Sequence, residues 1–163
     1  MEIGKRLSPG YIFFGLYIFA FLVYLFIGLQ PAEATNYIIS TKLIIPEINL
    51  NSDVTILKAE NRELKTPDTI VGSYSISDNK TLLIGHSSTV FSHLDQVNLG
   101  DEIVFDEKDY IVKDSEVVKK EDIIMSQLLR SSKIDTLVIM TCAGEDLGMG
   151  DATHRLIITA EEI

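Results

Sequence analysis

A single cysteine stands in the 163 residues, and that scarcity by itself excludes an internal disulfide. Basic residues are also outnumbered: 14 lysines and arginines face 24 acidic residues, for a formal charge of −10. A nucleic-acid partner is therefore not expected, because such proteins carry a basic face to meet the phosphates. The chain has no internal repeat and no low-complexity tract, and helical periodicity is scarce. What is present is 46% apolar residues, enough for one globular core.

The charges are absent altogether from "YIFFGLYIFAFLVYLFIGL", residues 11–29, a run of 19 residues. As a helix it would span about 28 Å at ~1.5 Å per residue, close to the ~30 Å hydrocarbon core of a bilayer. Lys5 and Arg6 precede it and Glu33 follows, so the positive-inside bias sets the N-terminus in the cytoplasm and the rest outside. The predicted organisation is a cytoplasmic N-terminus (1–10), a transmembrane anchor (11–29), a tether (30–40) and a domain (41–163). That makes a single-pass protein of the cell membrane with its working part extracytoplasmic. The "PAEA" at 31–34 has the small-x-small form of a signal-peptidase site and would instead release the domain, although the apolar run is longer than that of an ordinary signal peptide. Beyond residue 34 lie all but two of the basic and all but two of the acidic residues.

The domain reads as mostly β. "KLIIPEINL" (42–50) is extended, with Pro46 marking an edge or bend. Further short runs are "SDVTIL" (52–57), "TLLIG" (81–85), "DEIVFD" (101–106), "DYIVKDSEVV" (109–118), "DTLVIMT" (135–141) and "RLIITAEE" (155–162). "DEKD" (106–109) stands at hairpin distance between two of them, and Gly100 supplies a turn. Two segments, 58–64 and 120–130, suit short helices, the second with Ile123, Ile124, Leu128 and Leu129 on one face. Seven or eight strands in about 120 residues, with alternation often replaced by apolar runs, predict a small closed barrel of about eight strands with one or two short helices outside.

Three polar residues stand at the ends of apolar runs: His86, Cys142 and Arg155. A cysteine nucleophile needs a base or an ion-pair partner, commonly histidine, and an always-charged arginine suits an oxyanion. Each also has a bland reading: Cys142 as a small core residue, His86 as a turn histidine, Arg155 as a surface residue whose stem covers apolar neighbours. The polar, glycine-containing "AGEDLGMGDATH" after Cys142 is expected to be a loop, which would put the thiol at a strand end facing solvent.

"LLIGHSSTVFSHLDQVNLGDEIVF", then "YIVKDSEVV", "DTLVIMTC" and "RLIITAE", resemble the sortase family. The Gly-His turn, F-x-x-L, L-x-x-G-D, Thr-Cys and the arginine opening the last strand recur in the family's order, over about residues 42–163. The family's usual T-L-x-T-C core reads L-V-I-M-T-C here, and Ser87 follows the histidine where arginine is frequent. These departures blur the class, which is left open as class D-, E- or F-like. The resemblance implies a closed sortase-like barrel held by an N-terminal membrane helix, and a thiol-protease half-reaction. In it Cys142 attacks an LPxTG-like C-terminal sorting signal, His86 protonates the leaving amine, Arg155 holds the substrate and oxyanion, and Thr141 supports them. A cell-wall precursor or pilin amine then resolves the thioester. The implied partners are surface proteins bearing the signal, the amine acceptor and the membrane, for a monomer.

No cofactor is expected. Glu145, Asp146 and Asp151 offer oxygen ligands of the kind calcium takes but lack EF-hand spacing. His93 reads as structural or exposed, and His154 as facing away from Arg155, since strand neighbours point to opposite faces. Two rivals remain. A cysteine L,D-transpeptidase would need an S-x-G-C run close after a histidine, whereas Cys142 lies 56 positions after His86. A non-catalytic membrane-tethered β-domain binding a surface protein would carry an inert thiol.

Overall fold

A computed structural model describes residues 39–60, 63–148 and 151–163. The anchor expected at 11–29 lies outside the described residues. Among those described, no helix is long and apolar enough to cross a membrane.

Eight strands close into a barrel: β1 (Ile39–Ile45), β2 (Leu50–Ile56), β3 (Val71–Ser77), β4 (Lys80–Ile84), β5 (Glu102–Phe105), β6 (Lys108–Lys119), β7 (Thr136–Gly148) and β8 (Asp151–Glu162). Their order around the barrel is β1-β2-β3-β4-β7-β8-β6-β5, and pairing of β1 with β5 closes it. Two pairs, β2–β3 and β4–β7, are parallel and the others antiparallel. The predicted barrel and its approximate strand number are thus observed.

Turn chemistry accounts for the connections. Pro46 opens a 3₁₀ turn, Pro46–Ile48, that Asn49 ends in the left-handed region, so β1 folds back onto β2. Asp106 and Glu107 both have positive φ, 53° and 63°, the geometry of a two-residue hairpin whose twist matches its strands. Gly100, at φ 89°, turns the chain into β5, and its N–H donates to Val112 O.

The apolar runs that replaced alternation have a packing cause. Inside the barrel Leu83, Leu137, Ile139 and Ile158 join Leu43, Ile103, Tyr110 and Phe91 in one core. On the outer face of the same strands Leu82, Ile84, Val138 and Ile157 form a second cluster with Leu57. Strands β4, β7 and β8 are therefore covered on both faces, so successive residues are apolar. The outer cover comes from Leu64, Ile123 and Leu128 on the connecting segments.

One strand lacks a sequence signature, and three expectations change. Strand β3 carries no apolar run: Gly72, Ser73 and Ser75 interrupt it, and Ser73 is buried with its hydroxyl donating to Thr55 O. The helix expected over 58–64 is absent from the residues described there. Glu60 and Glu63 instead form an isolated bridge that returns the chain, letting Leu57 and Leu64 reach the same cluster. The helix expected over 120–130 reduces to a 3₁₀ turn, Lys120–Asp122, and one α turn, α1 (Met125–Leu128). Ile124 occupies its N-cap without a side-chain hydrogen bond, so the first turn's N–H groups lack the usual cap. Ile123 and Leu128 pack inward while Ile124, Met125 and Leu129 stay exposed. Finally, β7 does not stop at Cys142 but continues to Gly148, paired with β8 as a bulged ribbon.

Replacing Ile139 (0% exposed) by alanine is expected to cost about 2–5 kcal/mol in urea unfolding. Leu99→Ala, at a residue 65% exposed, should stay within about 0.5 kcal/mol.

Candidate active site

Strand direction brings the chemistry to one rim. Parallel β4 and β7 pair from Lys80–Thr136 to Ile84–Met140, so the residues that follow, His86 on one chain segment and Cys142 on the other, emerge together. Antiparallel β8 starts at that same rim, and Cys142 stands directly opposite Arg155. Directly opposed residues project from the same face of a sheet. The strand period then sets Val138, Met140 and Cys142 of β7, with Arg155 and Ile157 of β8, on the outer face.

The histidine turn is fixed by a close approach. Gly85 lies against Val90 and Phe91, where an added Cβ would come within 2.6 Å and 2.8 Å of their side chains. The His86 carbonyl accepts the N–H groups of Thr89 and Phe91, and the buried Phe91 and Leu94 anchor the loop in the core. One bond ties this turn to the cysteine strand: the Thr141 hydroxyl, 4% exposed at the residue level, donates to Gly85 O at 2.8 Å. The supporting position expected for Thr141 thus has a physical content, a link between the residues before His86 and before Cys142.

His86, Thr141, Cys142 and Arg155 line one groove of about 580 Å³. Its walls are the outer apolar face, Leu82, Ile84 and Met140, and the cover segments, with Leu64, Met125 and Leu129. A second groove of about 530 Å³ meets the first at His86 and Cys142 and is more polar, with Ser87, Ser88, Asp95, Asp146 and Asp151. Cys142 is half-buried between an apolar channel and an acidic one.

Arg155 is 15% exposed at the side chain and held along β8. Its Nη1 donates to Ala152 O at 2.9 Å and His154 O at 2.8 Å, and its Nη2 to Asp151 Oδ1 at 2.7 Å. The other Asp151 oxygen accepts from Lys120 Nζ at 2.6 Å. These two cations, with the Ala152 N–H, hold the Asp151 carboxyl well below the usual carboxylate range. Beyond the Cys142–Arg155 pair the ribbon is bulged between Ala143 and Asp146. Gly144 (φ 78°) permits this, since a Cβ there would meet Thr153 Oγ1 and His154 Nδ1 at 2.6 Å.

The remaining candidates fall elsewhere. His93 is exposed beside Gln96. His154 bonds Thr153 and lines a different groove with Lys119 and Glu145. Of the acidic trio, Asp151 serves the two cations and Asp146 accepts from the Gly148 N–H. Among the described residues no group of three or more His, Cys, Asp or Glu gathers at metal-binding distances. The sequence reading missed Lys120 and the role of Asp151 in holding Arg155, as nothing in their spacing marks them.

Thr141→Val is expected to cost about 1–3 kcal/mol by taking away the buried donor to Gly85 O, with Thr141→Ser restoring most of it in urea unfolding. A pH series tests Asp151. Because its folded pKa is depressed, its stabilising contribution is complete above the unfolded value of ~3.9 and is lost as pH falls below it. The stability advantage of the native chain over Asp151→Asn should be constant near neutrality and shrink below about pH 4.

No curated protein matches the chain. Among solved structures the chain is similar to sortase A from Corynebacterium diphtheriae in a lid-mutant form, with a TM-score of 0.63 and 21% identity over 99% of this chain and 82% of that one. It is also similar to sortase C-1 from Actinomyces oris (TM-score 0.57, 23% identity, 100% and 84% covered). Sortase A of Listeria monocytogenes gives 0.58 at 17% identity, with 77% and 87% covered. At such identities the likeness establishes the fold. A model of the sortase domain matches residues 43–163, nearly all of the barrel and most of the chain, and the protein belongs to the sortase family.

Proposed function

We propose that this sortase is a membrane-anchored cysteine transpeptidase that cuts an LPxTG-like C-terminal sorting signal and transfers the protein to a cell-wall or pilin amine. Sortases are generally cysteine transpeptidases acting on surface and pilin proteins with such signals. The observation that carries the reading is that His86, Cys142 and Arg155, far apart in the chain, line one groove.

The signal's apolar part lies in the channel walled by Leu82, Ile84 and Met140. The Cys142 thiolate adds to the Thr carbonyl carbon, and the resulting oxyanion is met by the Arg155 guanidinium. Collapse breaks the C–N bond, and His86 gives its proton to the departing amine, leaving a thioester on Cys142. The acceptor amine, deprotonated by His86, then attacks that thioester and restores the thiol. The polar groove, with Asp95 and Asp146, gives a cationic amine a separate approach to Cys142. A thioester keeps the acyl-transfer potential of the cut peptide bond, so no nucleotide is consumed and no cofactor enters the scheme. The charge-free run at 11–29 supports an anchor that keeps the domain outside the membrane, where surface proteins and wall precursors meet it.

Intact-mass measurement of the full-length chain in detergent, mixed with a pool of LPxTG-like peptides, tests this. The expected result is an adduct with the peptide cut after its Thr, absent from Cys142→Ala and strongly reduced in His86→Ala, that a primary amine discharges. A thiol inert to alkylation across pH 6 to 9, with no adduct, would instead favour the tethered binding domain.

A further inference from the structure

The Arg155 guanidinium is not an independent arm reaching into the groove. Residues four apart on a regular strand share a face but lie about 13 Å apart at ~3.3 Å per residue, yet Arg155 and Asp151 are in contact at 2.7 Å. The arginine therefore lies back along β8 toward the start of the strand, over the backbone of residues 152–154. There its donors divide. The two Nη1 hydrogens match two carbonyls, Ala152 O and His154 O, and one Nη2 hydrogen goes to Asp151. A guanidinium has five N–H donors in a rigid plane. These contacts hold Nη1 and one Nη2 hydrogen, and Nε–H and the second Nη2–H lie on the other edge.

We propose that Asp151 is a positioning residue for catalysis: it clamps the outer edge of the Arg155 guanidinium so that the opposite edge is held toward the groove at the level of Cys142. This rests on the reading of Arg155 as the group that meets the donor peptide and its oxyanion.

Two features make Asp151 suited to this task. Its second oxygen is engaged by Lys120, which the 3₁₀ turn after β6 brings to the ribbon, so the carboxylate is itself fixed from a second element. Lys120 also alters the electrostatics. One carboxylate shared by two cations leaves the trio with a net positive charge, so Asp151 orients Arg155 without cancelling its charge toward a developing oxyanion. The two carbonyls both act on Nη1. Asp151 adds the second point of attachment.

The test is a double-mutant cycle on the full-length chain in detergent, reading the rate of thioester formation with an LPxTG-like peptide, with thermal unfolding measured alongside. Asp151→Asn should slow acylation by about 10- to 100-fold, the scale of a misplaced catalytic group, and Asp151→Glu should recover part of the loss. In an Arg155→Ala background, Asp151→Asn should have no further effect, because its action runs through the guanidinium. Additive losses would overturn the proposal, since a structural role of Asp151 would not depend on Arg155. An unchanged or faster rate in Asp151→Asn would overturn it too, the faster rate meaning that Asp151 restrains Arg155. If Arg155→Ala itself leaves acylation intact, the underlying reading of Arg155 fails and the positioning role falls with it. Loss in Arg155→Ala without loss in Asp151→Asn removes only the positioning role.

Discussion

The register of β7 against β8 is the constraint on which the site depends. These strands pair without interruption from Thr136–Glu161 to Ala143–His154, and within that ladder Cys142 meets Arg155. A slip of one residue would turn one of the two side chains to the opposite face of the sheet. The register is protected by burial on both sides: Leu137, Ile139 and Ile158 fill the barrel while Val138 and Ile157 fill the outer cluster. A slip would exchange these sets and spoil both. Arg155 is paired on its other side with Val118 of β6, so the strand that carries it is an interior strand of the barrel.

The histidine depends on a different pairing. Because β4 and β7 are parallel, their C-terminal ends reach the same rim, and the connection between them must leave that rim and return to the far end. Residues 85–135 make that return, and in doing so they build β5, β6 and the cover of the outer cluster. The Thr141–Gly85 bond then sets the two rim segments against each other. Geometry at the site is thus a consequence of barrel closure, with local loop structure needed chiefly at Gly85, where Phe91 packs too closely for any side chain.

How much of this the sequence revealed follows from where each segment buries its side chains. Strands β4, β7 and β8 were visible as apolar runs because both faces are covered. Strand β3 was hidden by its small residues, although the Asp78-Asn79 pair before "KTLLI" was a usable sign of a preceding hairpin partner. The continuation of β7 past Cys142 had no apolar signature, since residues 144–148 are exposed and have no core to meet. Their polarity and glycines read as a loop, and only the cross-strand hydrogen bonds make them a ribbon. His86, Cys142 and Arg155 were legible as residue types at run boundaries. The Lys120–Asp151–Arg155 network was not, because it joins a turn residue after β6 to two residues of β8, a contact that no sequence spacing encodes.

The barrel interior also determines where a groove can form. Tyr110, Phe91, Leu43 and Ile103 are almost wholly buried and fill the inner core, so the lumen is packed with side chains. The groove therefore lies on the outer face, walled near the rim by Leu64 and Thr66 on one cover segment and by Met125 and Leu129 on the other. Those segments hold little regular structure: an isolated bridge and a single α turn. They contribute the exposed Met125 and Leu129 to the groove. The division leaves Cys142 and Arg155 on paired strands and part of the groove's apolar wall on the cover. Changes in cover residues can reshape the groove without disturbing the register that holds Arg155 opposite Cys142.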